Sequence, residues 1–411
     1  MSHQGGNRGR RTFLKRTGVV GSALLASGLA GCTGGGGGGD GGSDGGSGQQ
    51  TTSGSGGGDG SSGGSTTQKE LTTISMDIPP LAPAMVALKH IRDDTDILNK
   101  EMTDAGYKID MANSWDDTTL YASGKADFVP TLSDLEGARI ATERNIQTVF
   151  HGLFATNYEG LYTQPGSPYD PANTGSAEAS LKKMHEDNAV WANAGWNQGS
   201  IGPAGIILKE KFGYQYGPSD SKDFNVKNSD WFTLPKLLAE GKVDVITNAP
   251  PLGAATQLTK SPPPIKAFLW YQPYMRDLGY GGDTINLGNF GTTKEFSDNH
   301  IEAIKAFMTA WKQGVDYISN TDNFDKILSD SKNVDYLGNN KDEARIVLEF
   351  SQDPPSHSQT TPGNYVPIQA TNITIDDAYV KRDKKTLTKA HELGLLPDGW
   401  ADHIEYKTLK I

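Results

Sequence analysis

The sequence predicts an α/β fold built from two similar lobes. Three observations carry that expectation. Short apolar runs alternate with helix-patterned stretches, an eight-residue motif recurs in like surroundings, and a Pro/Gly-rich stretch separates its two copies. Alternation of this kind implies βα units and a largely parallel sheet. The roughly 340 residues from Leu71 onward suffice for two lobes.

The first lobe opens with a strand over Leu71–Ile78 and a helix from about Ala84 to Asn99. A strand at Tyr107–Ala112, a short helix at Asp116–Ser123 and a strand at Ala126–Pro130 follow. Next come a helix at Asp134–Arg144 and a strand at Ile146–Gly152. The recurring motif reads LYASGKAD at Leu120–Asp127 and LLAEGKVD at Leu237–Asp244, identical at five of eight positions. Each copy ends a helix with Gly, then starts an apolar strand, a short polar loop and another helix. In the first loop, Thr131-Leu132-Ser133, Ser133 and Glu136 form a capping box. In the second, Thr247-Asn248-Ala249, Pro250 stands at the first helical position.

The second lobe is expected after the Pro/Gly-rich stretch Tyr162–Gly175, over about residues 166–280, with residues 70–165 before it in the first lobe. It holds a helix at Ala177–Glu186, a strand at Ala189–Ala194, a helix at Pro203–Phe212 and another at Trp231–Ala239. Thr284–Phe290 reads as a strand returning to the first lobe, which then closes with helices over 281–411. These lie at about Asn299–Ser319, Asn323–Ser331, Lys341–Ser351 and Asp383–Leu393. Two crossings imply a hinge and a cleft.

The segment before Leu71 reads differently. Arg10 and Arg11, followed by Phe13-Leu14-Lys15 and an uncharged stretch from Thr17 to Ala30, resemble a twin-arginine export signal. The apolar part is too short for a stable membrane span. Leu29-Ala30-Gly31-Cys32 looks like a lipobox, so residues 1–31 would be removed and Cys32 lipidated. Residues 32–69 are a Gly/Ser-rich tether, with 18 of the chain's 50 glycines between Gly34 and Gly64. Such a composition cannot bury enough apolar area to fold, and its typical reach is roughly 30–36 Å.

The full chain carries 38 basic and 49 acidic residues, a net charge of −11. Residues 1–31 hold five basic groups and no acidic one, so processing leaves about −16, which argues against nucleic acid and anionic lipid as partners. Export signal, acidic surface and tether together suggest a salt-adapted archaeal lipoprotein. Cys32 is the only cysteine, so neither disulfides nor thiol chemistry operate in the folded part.

In open α/β sheets ligands bind beyond the carboxyl ends of strands, at helix N-termini. Candidate points are Asp77-Ile78-Pro79-Pro80, Asn113-Ser114-Trp115, Thr131–Ser133, Gly199-Ser200-Ile201-Gly202-Pro203 and Thr247-Asn248. Each has a plainer role: Ser133 as a helix cap, Gly199 and Gly202 as a tight turn, Trp191 and Trp231 as core. Trp115 and Trp196 follow strands at the expected cleft edge, where an aromatic ring stacks on a flat or cationic ligand. The histidines lack zinc-site spacing, and no nucleophile elbow or Walker-type loop is present, so neither metal, cofactor nor catalytic set is expected. The sequon Asn372-Ile373-Thr374 permits glycosylation.

LYASGKADFVPTLSDLEGARIA, LLAEGKVDVITNAPPLGAA, the Gly-Ser loop before Pro203, FSDNHIEAIKAFMTAWKQGVDYI and LTKAHELGLLP together resemble a known family. It comprises the lipoprotein solute-binding components of ABC transporters for nitrate, sulfonates and taurine, with binders of thiamine-pyrimidine precursors. The resemblance runs from about Leu71 to Pro397. It implies a periplasmic-binding-protein-like (type II) Venus flytrap that clamps a small solute between its lobes. A membrane permease and its ATPase would accept the solute, and the protein would sit outside the cell, anchored to the cytoplasmic membrane. The implied ligand-contacting positions are Asp77, Pro79, Pro80, Trp115, Thr131, Ser133, Trp196, Asn197, Gly199, Ser200 and Asn248. Trp196 stands where many relatives have a small or polar residue, which favours a solute with an apolar or aromatic part. A fungal enzyme that builds the thiamine pyrimidine shares the fold, but its cysteine-rich signature is missing here. An extracytoplasmic lipoprotein enzyme or sensor subunit is the alternative reading.

Overall fold

A computed structural model describes residues 70–196, 199–218, 223–280, 286–350 and 372–411. The export signal, Cys32, the tether, Asn197 and the expected strand start at Thr284 lie outside them. The strands are β1 (Thr72–Asp77), β2 (Tyr107–Ala112), β3 (Phe128–Leu132), β4 (Thr148–Thr156), β5 (Gly160–Thr163) and β6 (Val190–Asn193). They continue with β7 (Asn225–Asn228), β8 (Val245–Asn248), β9 (Lys266–Trp270), β10 (Asn286–Thr293) and β11 (Ile404–Tyr406).

Two sheets result, in the orders β11-β4-β10-β3-β1-β2 and β7-β6-β8-β5-β9. The plans match. In one, β2, β1 and β3 run parallel and β10 runs antiparallel between β3 and β4. In the other, β7, β6 and β8 run parallel and β5 runs antiparallel between β8 and β9. The chain enters β5 directly after β4 and enters β10 after β9. Each sheet therefore receives its antiparallel strand from a segment arriving from the other.

The first crossing falls at Asn157–Glu159, upstream of the Pro/Gly-rich stretch that the sequence suggested as the boundary. That stretch is instead a turn within the second region, because β5 already pairs with β8 and β9 at Leu161–Thr163. A four-residue strand followed by Pro and Gly gives little periodicity to read.

The recurring motif has a structural cause. Gly124 and Gly241 adopt left-handed backbone with φ of 68° and 66°, a conformation that glycine takes without steric cost. Lys125 N and Lys242 N donate back to Leu120 O and Leu237 O, each at 2.9 Å. The aspartates then clamp a neighbouring strand. Asp127 N donates to Ser75 O at 3.0 Å while its carboxylate accepts from Ser75 N at 2.8 Å. Asp244 N donates to Val190 O at 2.9 Å while its carboxylate accepts from Val190 N at 2.7 Å. The two carboxylates hold β1 and β6 in corresponding places.

Helices Asp134–Arg144 and Ala177–Glu186 occupy the expected ranges. The single helix expected from Ala84 to Asn99 is instead Ala82–Lys89, a π-helical turn His90–Asp94 and Ile97–Asp104, interrupted at Asp96 with φ 57°. The helix expected from Pro203 begins at Ile201, and the last helix begins at Asp377, where the Asp376 carboxylate accepts from Tyr379 N at 2.7 Å. Helix Ile301–Ser319 buries Ile304, Phe307, Met308, Trp311, Val315 and Ile318 at helical spacing against the first sheet. Phe128, Phe154 and Phe290 meet it from the strands.

Candidate functional site

The carboxyl ends of β1, β2 and β3 carry a buried polar chain. Asp77 ends β1, and its carboxylate accepts from Ser114 N at 3.0 Å and from the Ser114 hydroxyl. Asn113 Nδ2 donates to Ile78 O at 3.2 Å. Together these bonds pin the loop after β2 to the end of β1, followed by Pro79 and Pro80. Burial raises the Asp77 pKa, with Asp116 adding to the rise and Ser114 working against it. Thr131 donates to Asp117 Oδ2 at 2.6 Å. Asp117 is also buried and also shifted upward, burial being the main cause and repulsion from Asp77 a further one.

Ser133 caps helix Asp134–Arg144, its hydroxyl accepting from Glu136 N at 3.1 Å. The other arm of the expected box is absent. The Glu136 carboxyl turns to Thr118 and Asp117, and burial together with Asp117 pushes its pKa up to about 7. Arg139, one turn along the helix, opposes that rise.

The second sheet brings its own loops to the same place. Gly199 packs so closely on Ser133 that a Cβ there would lie 3.2 Å from the Ser133 Cβ and 3.5 Å from Leu287 O. Ser200 is buried at the start of helix Ile201–Phe212, with its side chain against Glu159. Two helix N-termini, one from each sheet, therefore converge on Ser133, Gly199 and Ser200.

Asn248 ends β8. Its Nδ2 donates to Trp231 O at 3.0 Å, while its fully buried Oδ1 has no hydrogen-bond partner among the described residues. Trp115, 46 % exposed, meets Phe232, 52 % exposed, edge-on with ring centroids 6.3 Å apart. One ring comes from the loop after β2 and the other from the loop after β7, so the pair spans the two sheets. Trp196 is half-buried against Tyr216 at 5.2 Å and lines a groove with Leu135, Glu136, Arg139, Ile201 and Leu395.

Sequence reasoning passed over Glu159. It sits at the first crossing, 3 % exposed, with Asn157 Nδ2 3.3 Å from its Oε2. Burial pushes its pKa up to about 7, and Ser200 and Asn157 offset only part of that. The local signal is slight: one acid between two segments, Thr148–Thr156 and Gly160–Thr163, that become wholly buried strands only in the assembled fold. Beside Glu159 lies a hydrogen-bonded group in which Trp191 Nε1 donates to Thr247 Oγ1 at 3.0 Å. Thr247 Oγ1 lies 3.2 Å from Tyr271 Oη, and Asn193 Nδ2 donates to Tyr216 Oη at 2.8 Å. Phe232 and Asp117 were also missed, because nothing local in the sequence distinguishes them.

Gly160, the residue after Glu159, fixes the approach of β5 to β9. A Cβ there would lie 2.5 Å from Leu269 O and 2.7 Å from Trp270 Cε3.

The matched sheets, the antiparallel crossing strands and the loops meeting between them define a two-lobed α/β protein of periplasmic-binding-protein type. Solved structures bear this out. The periplasmic nitrate-binding protein NrtA of Synechocystis PCC 6803 superposes with a TM-score of 0.56 at 13 % identity, covering 82 % of this chain and 86 % of that one. The periplasmic aliphatic sulphonate binding protein SsuA of Escherichia coli gives 0.54 at 13 % identity, over 81 % and 97 %. A Candida albicans protein described as having the generic periplasmic binding protein structural fold gives 0.51 at 14 % identity, over 83 % and 98 %. No protein-family model and no curated protein matches the chain by sequence.

Proposed function

We propose that this chain is the extracytoplasmic solute-binding receptor of an ABC importer. It captures a small organic or anionic solute of the sulfonate, nitrate, taurine or pyrimidine-like classes between its lobes, without turnover. The observation that carries the reading is the fold shared over four-fifths of the chain with nitrate- and sulphonate-binding proteins. The convergence of both lobes' strand-end loops at Ser133 and Gly199 supports it. Proposed contacts are Trp115, Thr131, Ser133, Trp196, Gly199, Ser200 and Asn248, with Asp77, Pro79 and Pro80 shaping the first-lobe wall and Asn197 adjoining. Permease and ATPase are the proposed partners. A lipid on Cys32 would hold the receptor at the outer face of the cytoplasmic membrane, within the tether's reach of the permease.

A thermal-shift screen over nitrate, sulfonates, taurine and pyrimidines tests the receptor reading. A true solute at 100 times its dissociation constant should add about 2.7 kcal/mol to stability. Silence across the whole screen would count against a receptor. The anchor is tested separately: Cys32→Ala should move the protein from membrane to soluble fraction, and an unchanged distribution would refute the lipid.

A further inference from the structure

The lobes are joined by more than their two crossings. Helix Asp377–Glu392 belongs to the first lobe by packing. Leu387 and Ala390 are buried with Val129 and Leu132 of β3, Ala138 of helix Asp134–Arg144 and Phe150 of β4. Four residues before Leu387, the buried Asp383 carboxylate accepts from Tyr406 Oη of β11 at 2.6 Å. Asp383, Leu387 and Ala390, at i, i+4 and i+7, share one face of the helix.

The adjacent face reaches the second lobe. Lys385 Nζ donates to Gly279 O at 3.0 Å and lies 4.2 Å from the Tyr280 ring centroid. Thr386 Oγ1 donates to Tyr280 O at 2.9 Å. Gly279 and Tyr280 stand between helix Tyr271–Asp277 of the second lobe and β10 of the first, so both bonds hold the second crossing itself. One turn further along, Lys389 Nζ lies 2.6 Å from Glu210 Oε1 on helix Ile201–Phe212. Beyond the helix end, Leu395 fits against two glycines of the second lobe. A Cβ at Gly205 would lie 3.2 Å from Leu395 Cδ1, and one at Gly217 would lie 3.3 Å from Leu395 Cδ2. The two faces differ in what exposing them costs. Parting the first-lobe face uncovers Leu387 and Ala390 and breaks a buried hydrogen bond. The second-lobe face is polar and partly wet: Lys389 and Glu210 are 20 % and 33 % exposed, and water replaces either partner at little cost.

We infer that helix Asp377–Glu392 is a latch that rides on the first lobe and holds the second against it. Lys385 and Thr386 pin the crossing, while Lys389 and Leu395 form the releasable contacts. Opening breaks the Lys389–Glu210 pair and withdraws Leu395 from its glycine seat. These contacts therefore set the open fraction before any solute is present. The latch goes beyond the receptor reading, because it concerns the lobes alone. A silent solute screen leaves it standing.

The test is hydrogen–deuterium exchange of the purified full chain, read by mass spectrometry without solute. Peptides covering Ser133–Glu136 and Gly199–Gly202 report the contact between lobes. There a Cβ at Gly199 would lie 3.2 Å from the Ser133 Cβ, and one at Gly202 would lie 3.2 Å from Leu135 Cδ2. Exchange that requires opening scales with the open fraction. Lys389→Met should speed it about threefold, and Leu395→Ala about tenfold. Peptides from helices Ile301–Ser319 and Asp377–Glu392 should keep their wild-type protection in both variants. Either variant serves alone should the other fail to fold. Unchanged exchange at the contact in a folded variant overturns the latch. Equal acceleration in helix Ile301–Ser319 would show a general loosening of the fold instead. Acceleration in helix Asp377–Glu392 would show that it does not ride on the first lobe. Either of those results also overturns the inference.

Discussion

Lys266→Met should destabilise the protein by about 3–5 kcal/mol, because it strands a buried carboxylate. Lys266 Nζ lies 2.5 Å from Asp170 Oδ1, with the two side chains 8 % and 2 % exposed. Asp170 also accepts from Gly166 N at 2.7 Å and Ala172 N at 2.9 Å, and so fastens the turn after β5 to β9. Burial opposes ionisation of Asp170, but Lys266 and the two N–H groups outweigh it and hold the carboxyl below its usual range. The sign follows for acid: a depressed carboxyl gives stability that is present above pH 3.8 and lost as pH falls through the folded value. Adding Asp170→Asn to Lys266→Met removes the stranded charge and should recover part of the loss. Urea denaturation of the single and double variants checks this. A Lys266→Met loss under 1 kcal/mol would show that the pair does not secure the turn.

Trp311→Ala should cost a similar amount, about 3–5 kcal/mol, by emptying the middle of the first core. Trp311 is fully buried and stacks on Phe154 with centroids 4.6 Å apart. Phe307 lies parallel to it at 6.1 Å. Its Nε1 has no hydrogen-bond partner among the described residues, so the indole N–H contributes nothing to offset its own desolvation. Trp311→Phe removes that orphaned donor along with some volume and should cost no more than about 1.5 kcal/mol. A Trp311→Phe loss well above that figure would mean that the N–H is satisfied in solution.

Much of this fold was legible because local signals agreed with the long-range arrangement. Ser133, Glu136 and the apolar spacing that follows define helix Asp134–Arg144 to the residue. The GKAD and GKVD copies mark a helix end, a left-handed glycine and a strand clamp, all short-range features. β5, β9 and β7 were less legible. GLYT is short and followed by Pro and Gly, AFLW lies behind three prolines, and NVKN carries little apolar pattern. The break at Asp96 was overlooked although Asp93-Asp94-Thr95-Asp96 is a run of residues that favour caps and turns over helix interiors.

The site was legible in outline and not in detail. General rules about strand ends selected Ser133, Gly199 and Ser200, which the fold brings together from distant segments. The same rules could not foresee that Asp77 and Thr131 satisfy Ser114 and Asp117, since those bonds depend on loops meeting. Glu159 was overlooked because its importance comes from being enclosed at a crossing, which only the assembled sheets reveal.

The central claim is that the two lobes hold a solute and release it unchanged. Equilibrium dialysis with whichever probe gives the largest thermal shift tests it most directly, followed by recovery and chemical analysis of the bound fraction. One molecule per chain, saturable and recovered intact, is the predicted result. No saturable binding, or recovery of a converted product, would contradict it.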